Sequence, residues 1–182
     1  MAKPHGVNTK ATGEQLKYRL DADPKRFRGV RVFYDHGESS RPEVCQPTTY
    51  MGKRYGNDAT LSAVDIVVTK GRSVMLAVEI EESSVRPKTV LGDVFGVVLA
   101  ERMRILGKSY SLDNATIIVA IAHDGKGKQS TKYLRLERHL GRYFEANPSH
   151  SIKKVRIIPC STSDLVRRIE RLIRLETGKA VR

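Results

Sequence analysis

Three acidic residues interrupt two otherwise apolar segments near the middle of the chain. Asp65 lies within AVDIVVT, and Glu79 and Glu81 lie within VMLAVEIE. Side chains two residues apart in a strand project from the same face, so Glu79 and Glu81 point the same way. Carboxylates held close together repel one another unless a cation neutralises them, and Mg²⁺ prefers such oxygen ligands. The pattern therefore indicates a candidate metal site that could hydrolyse a phosphodiester.

Whether Asp65 joins the two glutamates depends on how the two segments pair. Both are short and rich in β-branched residues, and KGRS between them is typical of a turn, so they predict a hairpin. A three-residue loop over 71–73 would set Lys70 opposite Val74 and Asp65 opposite Glu79. A loop one residue shorter or longer would turn Asp65 to the opposite face. The apolar alternation favours the register that gathers the acids; the alternative is a solvated face on which the acids pair with lysines and arginines.

The charge of the chain is far from balanced. Its 182 residues include 33 Lys and Arg against 20 Asp and Glu, a net charge of +13 with a pI near 10.0. Such a field attracts polyanions and favours nucleic acid as a partner. No run approaches the ~20 apolar residues of a spanning helix, and the first residues lack the apolar core of a signal peptide. Cys45 and Cys160 stand alone, so we expect a reducing, cytoplasmic location and no membrane partner. A basic RNA-processing or ribosome-linked protein is the alternative.

The other segments predict an α/β fold with a mixed central β-sheet flanked by helices. Residues 1–11 are expected to form a flexible basic arm, and the rest, 12–182, a single domain. A capping box from Thr12 to Gln15 predicts the start of a short helix. Val30–Tyr34 is expected to be a strand, and 35–57 a long loop with one short strand or helical turn.

Alternating elements follow the hairpin. One buried helix is predicted over RPKTVLGDVFGVVLAERMRIL, and two amphipathic helices over TKYLRLERHLGRYFEA and SDLVRRIERLIRLE. Ser163 is expected to cap the last of these. Strands are predicted over ATIIVAIA and KKVRIIP.

The acidic pattern and the order of elements resemble the PD-(D/E)xK, or restriction-endonuclease-like, nuclease superfamily. Its motif corresponds here to Val64-Asp65 followed by Glu79-Ile80-Glu81, and its αβββαβ core to the segments from Thr12 to Ala122. The superfamily includes restriction enzymes and archaeal Holliday-junction resolvases. The resemblance implies a DNA endonuclease that acts on duplex or branched DNA with Mg²⁺ or Mn²⁺. Cutting of both strands by so small a domain would imply a homodimer. It also implies that Asp65 and Glu79 are metal ligands, with Glu14 on the first helix as a further ligand.

The sequence departs from the superfamily motif at two positions. Val64 stands in place of proline, and Glu81 in place of the lysine that positions or activates the attacking water. Some restriction enzymes that this chain resembles carry E-x-E and are active. Lys88 on the following helix could supply the missing ammonium, which makes Asp65, Glu79, Glu81 and Lys88 the candidate catalytic set; Lys70 is a weaker substitute. A catalytically inactive nucleic-acid-binding module of the same fold is the alternative function.

Several basic residues are candidates for contact with DNA. Arg86 and Lys88 fall at a predicted helix start, where the helix dipole favours a phosphate. HDGKGKQST lacks the first glycine of a phosphate-binding loop, but Lys126 and Lys128 could touch the DNA backbone, and His123 and Asp124 beside them could support catalysis. Basic stripes recur at helical spacing, and one of the two is expected to contact DNA; they comprise Lys132, Arg135, Arg138 and Arg142, and Arg167, Arg171 and Arg174.

Overall fold

The computed structural model describes residues 6–52, 56–82, 86–122, 131–147 and 152–178. Within these ranges the chain forms helices and strands in the following order: α1 (Val7–Ala22), β1 (Val30–Tyr34), β2 (Thr48–Tyr50), β3 (Thr60–Ala63), β4 (Ile66–Lys70), β5 (Ser73–Glu81), α2 (Pro87–Val98), β6 (Arg102–Ile105), β7 (Lys108–Tyr110), β8 (Ala115–Ala122), α3 (Thr131–Ala146), β9 (Ile152–Cys160) and α4 (Thr162–Gly178).

The main sheet is mixed, which confirms the α/β class. Its strand order is β1-β4-β5-β8-β9. The first two pairs are antiparallel, whereas β5, β8 and β9 run parallel. Helices α1 and α4 pack against one face with Leu76, Val78 and Ile80 of β5, and α2 and α3 share a cluster on the other face with Ala77. Cover on both faces explains why the segment of β8 is apolar apart from Thr116 rather than alternating between apolar and polar residues.

Helix α1, strands β1, β4 and β5, helix α2 and strand β8 follow one another in the predicted αβββαβ order. Two insertions, β2–β3 and β6–β7, form a second, antiparallel sheet of order β3-β2-β6-β7. Its residues Met103, Ile105 and Tyr110 belong to the same buried cluster as Val94 and Val97 of α2. The insertions therefore extend the core on the α2 side.

Helix α1 begins at Val7, five residues before the predicted capping box, so residues 7–11 are helical rather than part of an arm. Its first turn is capped from a distance. The carboxylate of Glu82, which follows β5, accepts hydrogen bonds from the backbone N–H groups of Gly6 (3.2 Å) and Asn8 (2.7 Å). A carboxylate at this end satisfies helix donors that have no intrahelical partner and opposes the positive end of the dipole.

Two further boundaries differ from the sequence prediction. Helix α2 ends at Val98, and RMRI is strand β6, in which Met103 and Ile105 are buried and alternate with Arg102 and Arg104. This period of two is typical of a strand. Helix α4 is capped by Ser161 rather than Ser163, because the Ser161 hydroxyl accepts a hydrogen bond from Asp164 N at 3.3 Å. In the described ranges, no helix is both long and apolar enough to cross a membrane.

Candidate acidic site

The β4–β5 hairpin places Asp65 across from Glu79, although its turn is shorter than predicted. Lys70 pairs with Ser73, which leaves a two-residue turn with Gly71 at φ 61°. Thr69 then pairs with Val74 and Val68 with Leu76, so Met75 is an extra residue, a β-bulge. The bulge restores the expected register, and Ile66 pairs with Val78. It also places Val74 and Leu76 on opposite faces of the sheet, although two residues of a regular strand that are two positions apart share a face.

Asp65 lies in the bend immediately before β4, not inside the strand as predicted, and is tied to two elements. Its backbone N–H donates to Glu79 Oε2 at 3.3 Å, and its own Oδ2 accepts from Ile80 N at 2.8 Å. The hydroxyl of Thr9, in the first turn of α1, also donates to it. Burial raises the pKa of Asp65, and these donors together with the charge of His36 act in the opposite direction. Asp65 is therefore fixed beside β5.

Glu79 is the most deeply buried carboxyl group of the site, with 8% of its surface exposed. Burial raises its pKa well above the ordinary value of 4.5, and the neighbouring charges of Asp65, Asp93 and Glu81 raise it further. A buried carboxylate among like charges is costly unless it is protonated or bound to a cation. The predicted trio Asp65, Glu79 and Glu81 is thus brought together.

Asp93 on α2 is a fourth member of this group that the sequence analysis missed. Its pKa rises from 3.8 to about 7 because of burial and because its carboxyl group lies within hydrogen-bonding reach of Glu81. Its Oδ2 atom is buried without a hydrogen-bond partner among the described residues. Asp93 lies three residues after Val90 and four before Val97, both fully buried. An acid at that helical spacing was a readable signal, because it must share the buried face. We call Asp65, Glu79, Glu81 and Asp93 the acidic cluster.

Positive charge does not balance the acidic cluster within the described residues, where no ion pair joins a Lys or Arg to any of its members. Lys88 is exposed and lies about 140° around the axis of α2 from Asp93, since each residue turns the helix by about 100°. The expectation that Lys88 supplies the missing ammonium is therefore not supported. Lys70 is exposed at the turn end of the hairpin, away from Asp65.

Glu14 does not join the acidic cluster, which corrects its prediction as a metal ligand. Its Oε1 atom lies 3.9 Å from Arg41 Nη1, and its charge acts on the pKa of Tyr34 instead of those of the cluster. Glu14 is five residues beyond Thr9, so it lies about 7.5 Å farther along α1 from the end that contacts Asp65.

The predicted DNA-contacting residues that the structure describes are all exposed, namely Arg86, Lys88, Lys132 and Arg135. Arg86 is the N-cap residue of α2, and Lys132 Nζ lies 4.7 Å from the centre of the Tyr133 ring. Lys126 and Lys128, with His123 and Asp124, lie outside the described residues. On α4, Arg167 pairs with Asp164 and Arg174 with Glu170, so much of that stripe is neutralised.

The carboxyl groups of the acidic cluster contact one another and backbone N–H groups. In the part of the chain that the structure describes, no group of three or more His, Cys, Asp and Glu side chains has the arrangement of a preformed metal site. The comparisons with known proteins give no relative. No family model, curated protein or solved structure matches this chain.

Proposed function

We propose that this protein is a metal-dependent DNA endonuclease that hydrolyses phosphodiester bonds at the acidic cluster. Asp65 and Glu79 would hold Mg²⁺ or Mn²⁺. One observation carries the proposal: Glu79, 8% exposed, lies among three further carboxyl groups, and no described Lys or Arg pairs with any of them. Burying like charges together works against folding, so a cluster of buried carboxyl groups is a candidate for a functional site.

The residues present suit a divalent cation in two respects. The donor set consists of carboxylate oxygens alone, which favours Mg²⁺ or Mn²⁺ over metals that prefer nitrogen or sulfur. The buried Oδ2 atom of Asp93 lacks a hydrogen-bond partner among the described residues, so this oxygen keeps a lone pair that a cation could use. Because the pKa values of Glu79 and Asp93 are raised, a cation here would compete with protons for these two carboxyl groups.

The chain's own residues would divide the work as follows. Asp65 is held in place by Ile80 N and Thr9, so its carboxylate keeps its position when a ligand binds. Asp93 lies within hydrogen-bonding reach of Glu81, and the pKa of Asp93 near 7 suits a group that accepts or returns a proton at neutral pH. A divalent cation held by Asp65 and Glu79 would supply an activated water and would stabilise developing charge on the phosphodiester.

DNA is the substrate that fits best with the rest of the chain. The net charge of +13 favours a polyanion, and the observed αβββαβ order agrees with the resemblance to PD-(D/E)xK nucleases, whose substrates are duplex or branched DNA. The fold alone does not imply the activity, so the proposal depends on the site.

The second candidate is a non-catalytic nucleic-acid-binding module of the same fold. Its support is specific: Glu81 stands where the superfamily has lysine, and Lys88 is turned away from Asp93. In that case the acidic cluster would have no catalytic activity.

Cleavage of supercoiled plasmid and of a four-way DNA junction separates the two candidates. With Mg²⁺ or Mn²⁺ we expect nicked or linear product, and none with EDTA. Glu79→Gln should lower the rate on the order of a thousandfold or more, since it removes a metal ligand. Glu101→Gln, at an exposed glutamate, is the matched control and should cleave normally. DNA that is bound but left intact with both metals would favour the binding module, and equal cleavage by Glu79→Gln would exclude this site.

A further inference from the structure

A groove of about 780 Å³ runs between α3, from Leu134 to Glu145, and the start of β9. Four of the residues that line it are basic, and Phe144, Ile152 and Val155 supply an apolar floor; the basic ones are Arg138, Arg142, Lys153 and Lys154. All four basic residues are exposed. The groove is thus a concave surface with an apolar floor and positively charged sides.

The acidic residues of the groove do not cancel this charge. Glu137 is already engaged, because its Oε1 pairs with Arg156 at 2.8 Å and its Oε2 accepts a hydrogen bond from Ile157 N at 2.8 Å. Glu145 is the remaining acid in the lining. Among the described residues, no acid pairs with Arg138, Arg142 or Lys154. The groove therefore keeps a net positive charge that an anionic ligand can use.

The groove lies on the same side of the main sheet as the acidic cluster. Glu79 projects to the face of Ala77, because the two are separated by two residues in β5, and Ala77 shares a buried cluster with Tyr133 and Phe144 of α3. Helix α4 packs on the opposite face with Ile80. Of the two basic stripes, only the one on α3 is therefore on the side of the cluster.

The parallel strands set the separation between groove and cluster. Glu81 pairs with Ile121 near the end of β8, whereas Lys154 pairs with Thr116 near its start. Five residues span about 17 Å along a strand, and two strand spacings add about 10 Å across the sheet, so the separation is roughly 20 Å. Successive phosphates of one DNA strand are about 3.4 Å apart along the axis of the double helix, so the separation between groove and cluster corresponds to about six phosphates.

We infer that the α3–β9 groove is a second binding site for the phosphate backbone of DNA, about six phosphates away from the part of the DNA that lies at the acidic cluster. The inference rests on the DNA-binding part of the proposed function but not on cleavage. Four cations around one groove suit the regular charge of a nucleic-acid backbone. Contacts of this kind position the DNA without reading its sequence.

Two triple variants with the same change in net charge test the inference. Arg138→Gln, Arg142→Gln and Lys154→Gln remove three charges from the groove. Arg167→Gln, Arg168→Gln and Arg171→Gln remove three exposed charges from α4, on the other face. The dissociation constant for a duplex of about 30 base pairs is measured between roughly 50 and 200 mM salt, where each lost phosphate contact lowers the log–log slope by about 0.9. We expect the slope to fall by about 2.7 for the groove triple and by much less for the α4 triple.

Equal effects of the two triples, or an unchanged slope for the groove triple, would overturn the inference. So would a groove triple that binds DNA normally but no longer binds phosphatidylserine vesicles, since the groove would then serve a membrane surface. Failure of the proposed function looks different: the wild-type protein binds DNA with the expected groove dependence but cleaves none. If cleavage depends on Glu79 but the groove triple binds DNA normally, the proposed endonuclease activity would be supported and the DNA-binding role of the groove would be rejected.

Discussion

Asp93→Asn should stabilise the protein at alkaline pH when no divalent cation is present. The pKa of Asp93 is about 7 in the folded protein against an ordinary value of 3.8. Between these values the folded state keeps a proton that the unfolded state has lost, so stability falls as pH rises through this window. Below about pH 4 both states are protonated and the penalty is absent. An asparagine stays neutral throughout and can still donate to Glu81, so it avoids the penalty.

The size of the effect follows from the two pKa values. The folded and ordinary pKa values of Asp93 differ by about three. Each tenfold change in proton affinity corresponds to about 1.36 kcal/mol, so the difference amounts to about 4 kcal/mol. Asp93 is only partly buried, and solvent screening reduces this, so we expect ~2 kcal/mol above pH 7. For a chain of this length, that corresponds to a rise of about 4–8 °C in the midpoint of thermal unfolding.

Thermal unfolding followed by circular dichroism in EDTA, at about pH 4 and about pH 8, measures this difference. Asp93→Asn should unfold at a higher temperature than wild type at the alkaline pH and at the same temperature at the acidic pH. Asp58→Asn, at an exposed aspartate of the second sheet's turn, is the control and should shift neither. A variant that is less stable than wild type at the alkaline pH would refute the reasoning, because the ionised Asp93 carboxylate would then stabilise the fold even without a divalent cation.

Three further outcomes are expected. Glu82→Ala removes the remote cap of α1 and should cost about 1–2 kcal/mol in the free energy of unfolding by urea, whereas the exposed control Glu101→Ala should cost little; equal losses would contradict the capping role. Mg²⁺ at about a hundred times its dissociation constant should stabilise wild type by about 2.7 kcal/mol in the same assay, and a matching gain in Glu79→Gln would exclude the acidic cluster as its site. Changing Arg86 and Lys88 together to Ala should weaken binding to unrelated duplexes alike and lower the salt slope by about 1.8; a loss confined to one sequence would indicate base contacts instead.

The hairpin shows how far its pattern of residues determines the site. The apolar alternation of β4 and β5 predicts that Asp65 faces Glu79, and the structure places them in contact at 3.3 Å. The turn was predicted to have three residues and has two, with Met75 as a bulge. Burial of the strands on both faces fixes the register, and the turn and bulge adjust to it, so the site was predictable although the turn was not.

Other features depend on contacts between residues distant in the chain. The start of α1 could not be read from its own residues because the cap, Glu82, is 74 residues beyond Asn8. The change from α2 to β6 was missed because the apolar run continues through both elements. Its period changes from helical to two only at Arg102–Ile105, which is too short a window to stand out. Asp93 was missed although its spacing from Val90 and Val97 places it on the buried face, because it lies within a run that was predicted to be an apolar, buried helix.

Isothermal titration of Mn²⁺ into the wild-type protein near pH 7, in two buffers of different ionisation enthalpy, tests the central claim most directly. Glu79 and Asp93 both hold protons in this range more readily than ordinary carboxyl groups. A cation bound by the acidic cluster must displace them, so we expect binding at one site with the release of about one proton or more. Glu79→Gln should abolish that binding. Absence of binding by the wild-type protein, or binding that is unchanged in Glu79→Gln, would contradict the account.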